Sequence, residues 1–217
     1  MERAAFLDRV RTALAGASGD VELPASWPAT PASGDGRADF ETFQAGLARS
    51  NGMARLVTQA ELVVAVADVA REVSARRVVV AADTDGFRQE IERGLAEAGA
   101  EAVRPDGATA WRGEAARADL GVTSAALAVA ATGSILMVPG PDCPRAASLL
   151  PPAHLAVVPA SRLVPGLEDV TPALAELADR SSAPVLITGP SRTSDIEMAT
   201  VYGVHGPKIL RVLLVKG

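Results

Sequence analysis

An α/β fold, built on a mostly parallel sheet covered on both faces, is what this 217-residue chain predicts. Three features point to it. Short uninterrupted apolar runs, such as RVVVA at 77–81, HLAVV at 154–158 and ILRVLLV at 209–215, have the character of strands buried on both sides. Segments with apolar residues at helical spacing alternate with these runs. Alanine occupies 43 positions while aromatics make up only 3%, so layers can approach closely over a core of Val, Leu and Ile.

Each element has its own signal. Residues 1–15 place Phe6, Leu7, Val10 and Leu14 on one face of an amphipathic helix. Residues 16–38 hold Pro24, Pro28, Pro31, four glycines and Trp27, which predicts an extended connection. Residues 39–51 resume a helical pattern through Phe40, Phe43 and Leu47, closed by Asn51-Gly52. Residues 1–52 therefore read as an N-terminal helical arm, and 53–217 as the main α/β domain.

In that domain, strands are expected at 54–57, 77–81, 101–103, 119–122, 127–130, 134–138, 154–158, 184–188 and 209–215. Helices are expected at 59–75, 86–98, 144–150, 171–180 and 191–202, the fourth opening on Thr171-Pro172. No fixed-period repeat is visible. In folds of this kind ligands sit outside the carboxyl ends of the strands.

Composition removes several functions. A net charge of −5 argues against a nucleic-acid footprint. The single cysteine, Cys143, excludes an internal disulfide, a four-cysteine zinc site and a cysteine-ligated iron–sulfur cluster. Two histidines without an acidic cluster at ligand spacing predict no intrinsic metal site. Charged residues crowd the first turns and no signal-peptide core follows, so a cytoplasmic location is expected. The 22 uncharged residues at 120–141 are long enough to span a bilayer, but Thr132, Gly133, Ser134, Pro139 and Gly140 interrupt them. They read instead as two buried elements around a Thr-Gly-Ser turn, with no membrane insertion.

The richest local chemistry lies at 187–197, ITGPSRTSDIE. A buried strand ends at Thr188, Gly189-Pro190 makes a turn, and hydroxyl residues follow. Ser194 and Glu197 have capping-box spacing, and Ser191 can cap one turn earlier. A helix opening here would present free N–H groups and a positive dipole end to an anion, with Arg192 as a guanidinium fork. The competing reading is a well-capped helix whose Arg192 pairs with Asp195 or Glu197. Thr132-Gly133-Ser134 is either a second ligand-facing loop or an ordinary turn in a buried hairpin. In Tyr202-Gly203-Val204-His205-Gly206-Pro207, His205 is a general base, a ligand donor or a satisfied turn residue. His154, at the start of a strand, has a weaker claim, and Cys143 before a short helix reads as a bystander thiol.

These segments resemble one known family. ITGPSRTSDIE followed by YGVHGPKILRVLLV, with GVTSAALAVAATGSILMVPG and SLLPPAHLAVVPASRLV earlier in the same order, is similar to the lactate-utilization LUD-domain family. The resemblance covers roughly residues 54–217, with the specific motifs in 119–215. It implies a three-layer α/β/α fold of the type shared by glucosamine-6-phosphate deaminase, ribose-5-phosphate isomerase and CoA transferases. It also implies a part in oxidising L-lactate to pyruvate beside two partner proteins. The iron–sulfur clusters belong to those partners, and this chain resembles the cluster-free member, with no cofactor of its own. Ser191, Arg192, Thr193, Asp195, Ile196, Glu197, His205, Gly206 and Pro207 match the family's pattern. The acidic residue that usually precedes the Thr-Gly turn is replaced by Ala131, so a carboxylate able to act as acid, base or ribose-hydroxyl acceptor is missing there.

The expected role is a cluster-free component of an L-lactate oxidation system, a ligand-binding or assembly subunit working with iron–sulfur partner proteins. The alternatives are a stand-alone enzyme or sensor for a phosphorylated or carboxylated small molecule, and a pure scaffold. The expected ligand residues are Thr132, Gly133, Ser134, Gly189, Pro190, Ser191, Arg192, Thr193, His205 and Gly206. Asp195, Glu197 and His205 are the acid–base candidates.

Overall fold

The apolar runs pair side by side in one direction. The computed structural model describes residues 3–15, 39–81, 86–140, 143–177, 181, 183–196 and 199–217. In chain order the first elements are α1 (Arg3–Leu14), α2 (Phe40–Ala48), β1 (Met53–Thr58), α3 (Gln59–Glu72), β2 (Arg77–Val80), α4 (Arg88–Glu97), β3 (Glu101–Val103), α5 (Ala108–Ala115), β4 (Leu120–Ser124), β5 (Leu127–Val129) and β6 (Ser134–Met137). There follow α6 (Arg145–Leu149), β7 (Ala153–Pro159), β8 (Leu163–Val164), α7 (Val170–Leu177), β9 (Val185–Ile187), β10 (Arg192–Ile196), β11 (Ala199–Tyr202) and β12 (Ile209–Lys216), with short 3-10 turns at Ala160–Arg162 and Leu167–Asp169.

Six strands form the main sheet in the order β1-β12-β7-β4-β2-β3, and each neighbouring pair is parallel. Because side chains alternate across a strand, each run feeds two cores. Leu155, Val157, Leu213, Val215, Leu120 and Val122 point to the face covered by α3 and α4, where Leu62, Val66, Ile91 and Leu95 are fully buried. Ala156, Val158, Leu210, Val212 and Leu214 point to the other face.

That second face is covered differently from the expectation of helices alone. A small sheet, β8-β5-β6-β9, lies over it together with α2, α5 and α6. The supposed bilayer span thus folds as β4, β5 and β6, with a turn between the last two. Among the described residues no helix is long and apolar enough to cross a membrane. Helix α2 is stapled into this layer through fully buried Phe43 and Leu47. Its amino end is capped by Asp39, whose side chain accepts from the Thr42 backbone N–H at 2.6 Å. Helix α1 leaves Phe6, Leu7 and Val10 exposed. The expected connection at 16–38 and the tail of the helix expected to 180 lie outside the described residues.

Two elements differ from the sequence reading. Residues 108–115, for which no helix was expected, form α5, which buries Trp111 against β2 and α6. The helix expected at 191–202 is instead an antiparallel hairpin, β10 with β11, pairing Arg192 with Tyr202 and Thr193 with Val201. The hydroxyl and acidic residues there do resemble helix caps, but the segment is rich in β-branched Thr193, Ile196, Thr200 and Val201 and has no apolar stripe at helical spacing. Its entry is also pinned, because the Ser191 N–H donates to Pro207 O and the Gly203 N–H to Ser191 O, each at 2.8 Å. No helix N-terminus therefore follows Gly189-Pro190.

Candidate functional site

The β9–β10 loop and the β11–β12 loop meet over the sheet and line an open cavity of about 270 Å³. Its floor is His154 of β7 and Leu210 of β12, which sit opposite one another in the parallel register. Both lie at the amino ends of their strands. This cavity thus lies at the opposite ends of the strands from the carboxyl ends where a ligand was expected. The small sheet folds back over the face, so β9 runs toward the amino ends and delivers Thr188 and Gly189 there.

Of the residues singled out from the sequence, Gly189, Pro190, Ser191, His205 and Gly206 line the cavity together. Gly189 is pressed against Ser50 at the end of the α2 turn. Asn51 Nδ2 donates to the Tyr202 hydroxyl at 2.6 Å, tying that turn to the hairpin. Arg192 is exposed on β10 and is not among the cavity-lining residues, and neither is Thr193. Asp195 lies on β10, and Glu197 falls outside the described residues.

The Thr132-Gly133-Ser134 turn reaches the cavity indirectly. The Oγ atoms of Thr132 and Ser134 are 2.7 Å apart, and Ser134 Oγ lies 2.8 Å from Thr188 Oγ1, which lines the cavity. Ser134 is fully buried at the middle of this hydroxyl chain, Thr132 is half-buried and Thr188 is exposed at the cavity. Gly133 serves the close approach of α2. Its φ is +67°, and a Cβ there would run into the backbone of Gly46 and Leu47.

His154 is the residue whose importance the sequence understated. It is 1% exposed, and its Nε2 lies 2.8 Å from Thr123 Oγ1 on the neighbouring strand, itself fully buried. Burial pushes its pKa down to about 4, so the ring is neutral near pH 7. A histidine inside a strand otherwise made of apolar residues was the available signal. Ser148 is also buried at the cavity wall, its hydroxyl donating to Arg145 O at 3.1 Å. Cys143 is buried in the α5–α6 cluster, away from this cavity lining.

Among the described residues the lining holds no Arg, Lys, Asp or Glu. It offers hydroxyls, two imidazoles, backbone groups and apolar walls from Leu149, Leu186 and Leu210. Leu210 is buried, while Leu149 and Leu186 are exposed at the mouth, so the cavity is open to solvent on that side.

The comparisons with known proteins agree with this architecture. A model of the LUD domain matches residues 40–215, a stretch that includes α2. Lactate utilization protein C of Halalkalibacterium halodurans is 40% identical over 98 residues, covering 43% of this chain and 43% of that protein. The protein of the same name from Exiguobacterium is 41% identical over 105 residues, covering 46% of each chain. That of Bacillus subtilis is 35% identical over 106 residues, 47% of this chain and 44% of that one. The match thus spans less than half the length of each of these curated relatives. A crystal structure of a DUF162 family protein from Deinococcus radiodurans superposes with a TM-score of 0.59 at 26% identity, covering 82% of this chain and 95% of that one. By a match that runs from α2 to the last strand, the chain belongs to the LUD domain family.

Proposed function

We propose that this protein is a component of a lactate-utilization system, and that the cavity over His154 binds a small 2-hydroxy or 2-oxo acid. The observation that carries this reading is the meeting of the 189–191 and 205–207 loops over one buried, neutral imidazole. Similarity to proteins named lactate utilization protein C supplies the biological context. The absence of charged side chains from the described lining favours a singly charged acid, held by hydroxyl and N–H donors, over a phosphate ester, which calls for Arg or Lys.

In this reading the chain binds a ligand or assembles the system, and oxidation proceeds on iron–sulfur partner proteins. The single cysteine, itself buried, supports placing any cysteine-ligated cluster on the partners. Any acid–base step would fall to His205, which is exposed at the cavity rim.

The test is a thermal-shift titration with sodium L-lactate, sodium pyruvate and a panel of sugar phosphates and CoA thioesters, alongside growth on L-lactate after gene deletion. Stabilisation by lactate or pyruvate that is lost in His205→Ala, with loss of growth in the deletion strain, is the expected result. Stabilisation by phosphate esters alone would turn the assignment to a stand-alone enzyme or sensor. Unimpaired growth, with no iron–sulfur protein co-purifying, would end the lactate assignment.

A further inference from the structure

The buried pair at the cavity floor specifies more than a shape. Thr123 and His154 are both withdrawn from solvent, and their contact at 2.8 Å is the hydrogen bond each side chain makes among the described residues. Two arrangements are available to it. If the ring donated from Nε2, the Thr123 hydroxyl proton would be left without an acceptor in a fully buried place. If Thr123 donates to Nε2, its proton is used, and the donor left over is Nδ1–H of a ring that lines the cavity, where water or a ligand can meet it, which is the cheaper deficit. A neutral ring that accepts at Nε2 carries its proton on Nδ1. The depressed pKa of His154 agrees with a neutral ring. Nδ1–H has no protein acceptor among the described residues, and the ring lines the cavity.

We propose that Thr123 locks His154 in the Nδ1–H tautomer, so that a neutral imidazole on the cavity floor donates to a carboxylate or keto oxygen of the bound acid. The ligand half rests on the functional reading above, while the tautomer half stands on the geometry of this pair. The arrangement gives the cavity a donor with no charge to desolvate, aimed from a rigid strand rather than from a loop. Thr123 acts through His154 and is a positioning residue. It also supplies specificity, because a buried N–H left unpaired penalises any ligand without an oxygen acceptor at that place.

The experiment uses the full chain labelled with nitrogen-15 and long-range proton–nitrogen correlation of the imidazoles. There are two histidines, so His205→Ala assigns both. The expected spectrum shows His154 protonated on Nδ1 and bare at Nε2, with the Nδ1 resonance moving on addition of sodium pyruvate or sodium L-lactate. Thr123→Val is expected to weaken pyruvate binding about tenfold. His154→Asn, which keeps an N–H near the Nδ1 position, should bind within about threefold of the parent, and His154→Phe should lose at least about tenfold. A proton found on Nε2 overturns the proposal without any reference to ligand. An unmoved His154 resonance, while the Ser191 and Gly206 amides shift with pyruvate, overturns it and leaves the functional reading standing. If neither acid moves any cavity resonance, the functional reading fails and the ligand assignment with it.

Discussion

The two faces of the main sheet are made from the same strands, yet they differ in kind. Against α3 and α4 the sheet presents Leu120, Val122, Leu155, Val157, Leu213 and Val215, and the packing is apolar throughout that cluster. The opposite side holds Thr123, His154, Ser134 and Ser148, the buried polar residues among those described. Burying such groups costs free energy unless they are hydrogen-bonded, and Thr123, Ser134 and Ser148 each have partners. The helical face is therefore a stability device. The face under the small sheet gives up part of that stability to keep oriented hydroxyls and an imidazole beside a cavity.

The largest expected effect strikes the seam between the small sheet and α2. Gly133→Val forces a β-branched residue to a φ of +67° and into the α2 backbone, and should abolish folding, or cost more than about 4 kcal/mol, as measured by urea unfolding. Leu62→Ala, on the helical face, should cost about 3 kcal/mol while leaving pyruvate-induced spectral shifts intact. Equal damage to both properties would erase the distinction between the faces.

The pH dependence should carry the signature of the polar face. His154 has its folded pKa lowered from 6.5 to about 4, so the unfolded chain binds that proton more readily. Its contribution to stability is complete above pH 6.5 and falls as pH drops toward 4, by up to about 3 kcal/mol. Unfolding curves measured across this window should flatten in His154→Asn. An unchanged slope in that variant would assign the acid sensitivity to other groups.

Ser134→Ala breaks the hydroxyl chain from Thr132 to Thr188. It should cost only about 1 kcal/mol of stability but weaken pyruvate binding several-fold, the reverse of Leu62→Ala. The smallest effect is expected at the rim of the helical side. The Arg55–Asp68 ion pair is about half exposed, and Arg55→Ala should change stability by less than about 1 kcal/mol, with no effect on binding.

Much of the fold was legible in order along the chain. The runs that became β2, β7 and β12, and the stripes that became α2, α3 and α4, carry their periodicity within a few residues. The segment at 191–202 was misread because capping signals are local, whereas the hairpin is fixed by pairing with its own return strand and by Ser191 bonding to residues 203 and 207. Helix α5 escaped notice because ATAWRGEA has Trp111 as its one large apolar residue, too little for a periodic stripe. Of the site, the 189–191 and 205–207 segments stood out by their glycines, proline and histidine. His154 did not, because a single histidine at a strand start gives no sign of what lies beside it.

The sequence by itself determined those strands and helices whose apolar period lies within the segment, such as β2, β7, β12, α2, α3 and α4. One cysteine and a net charge of −5 are likewise read from it directly, and they are the ground for expecting neither a cysteine-ligated cluster nor a nucleic-acid footprint. Only the tertiary structure decided that Thr123, His154, Thr188, Ser191 and His205 share one place, at the amino ends of the strands. The physical reason is strand order. Placing β7 between β12 and β4, and folding β5 to β9 back across their face, brings together residues up to 82 positions apart, from 123 to 205, and no local pattern encodes that distance.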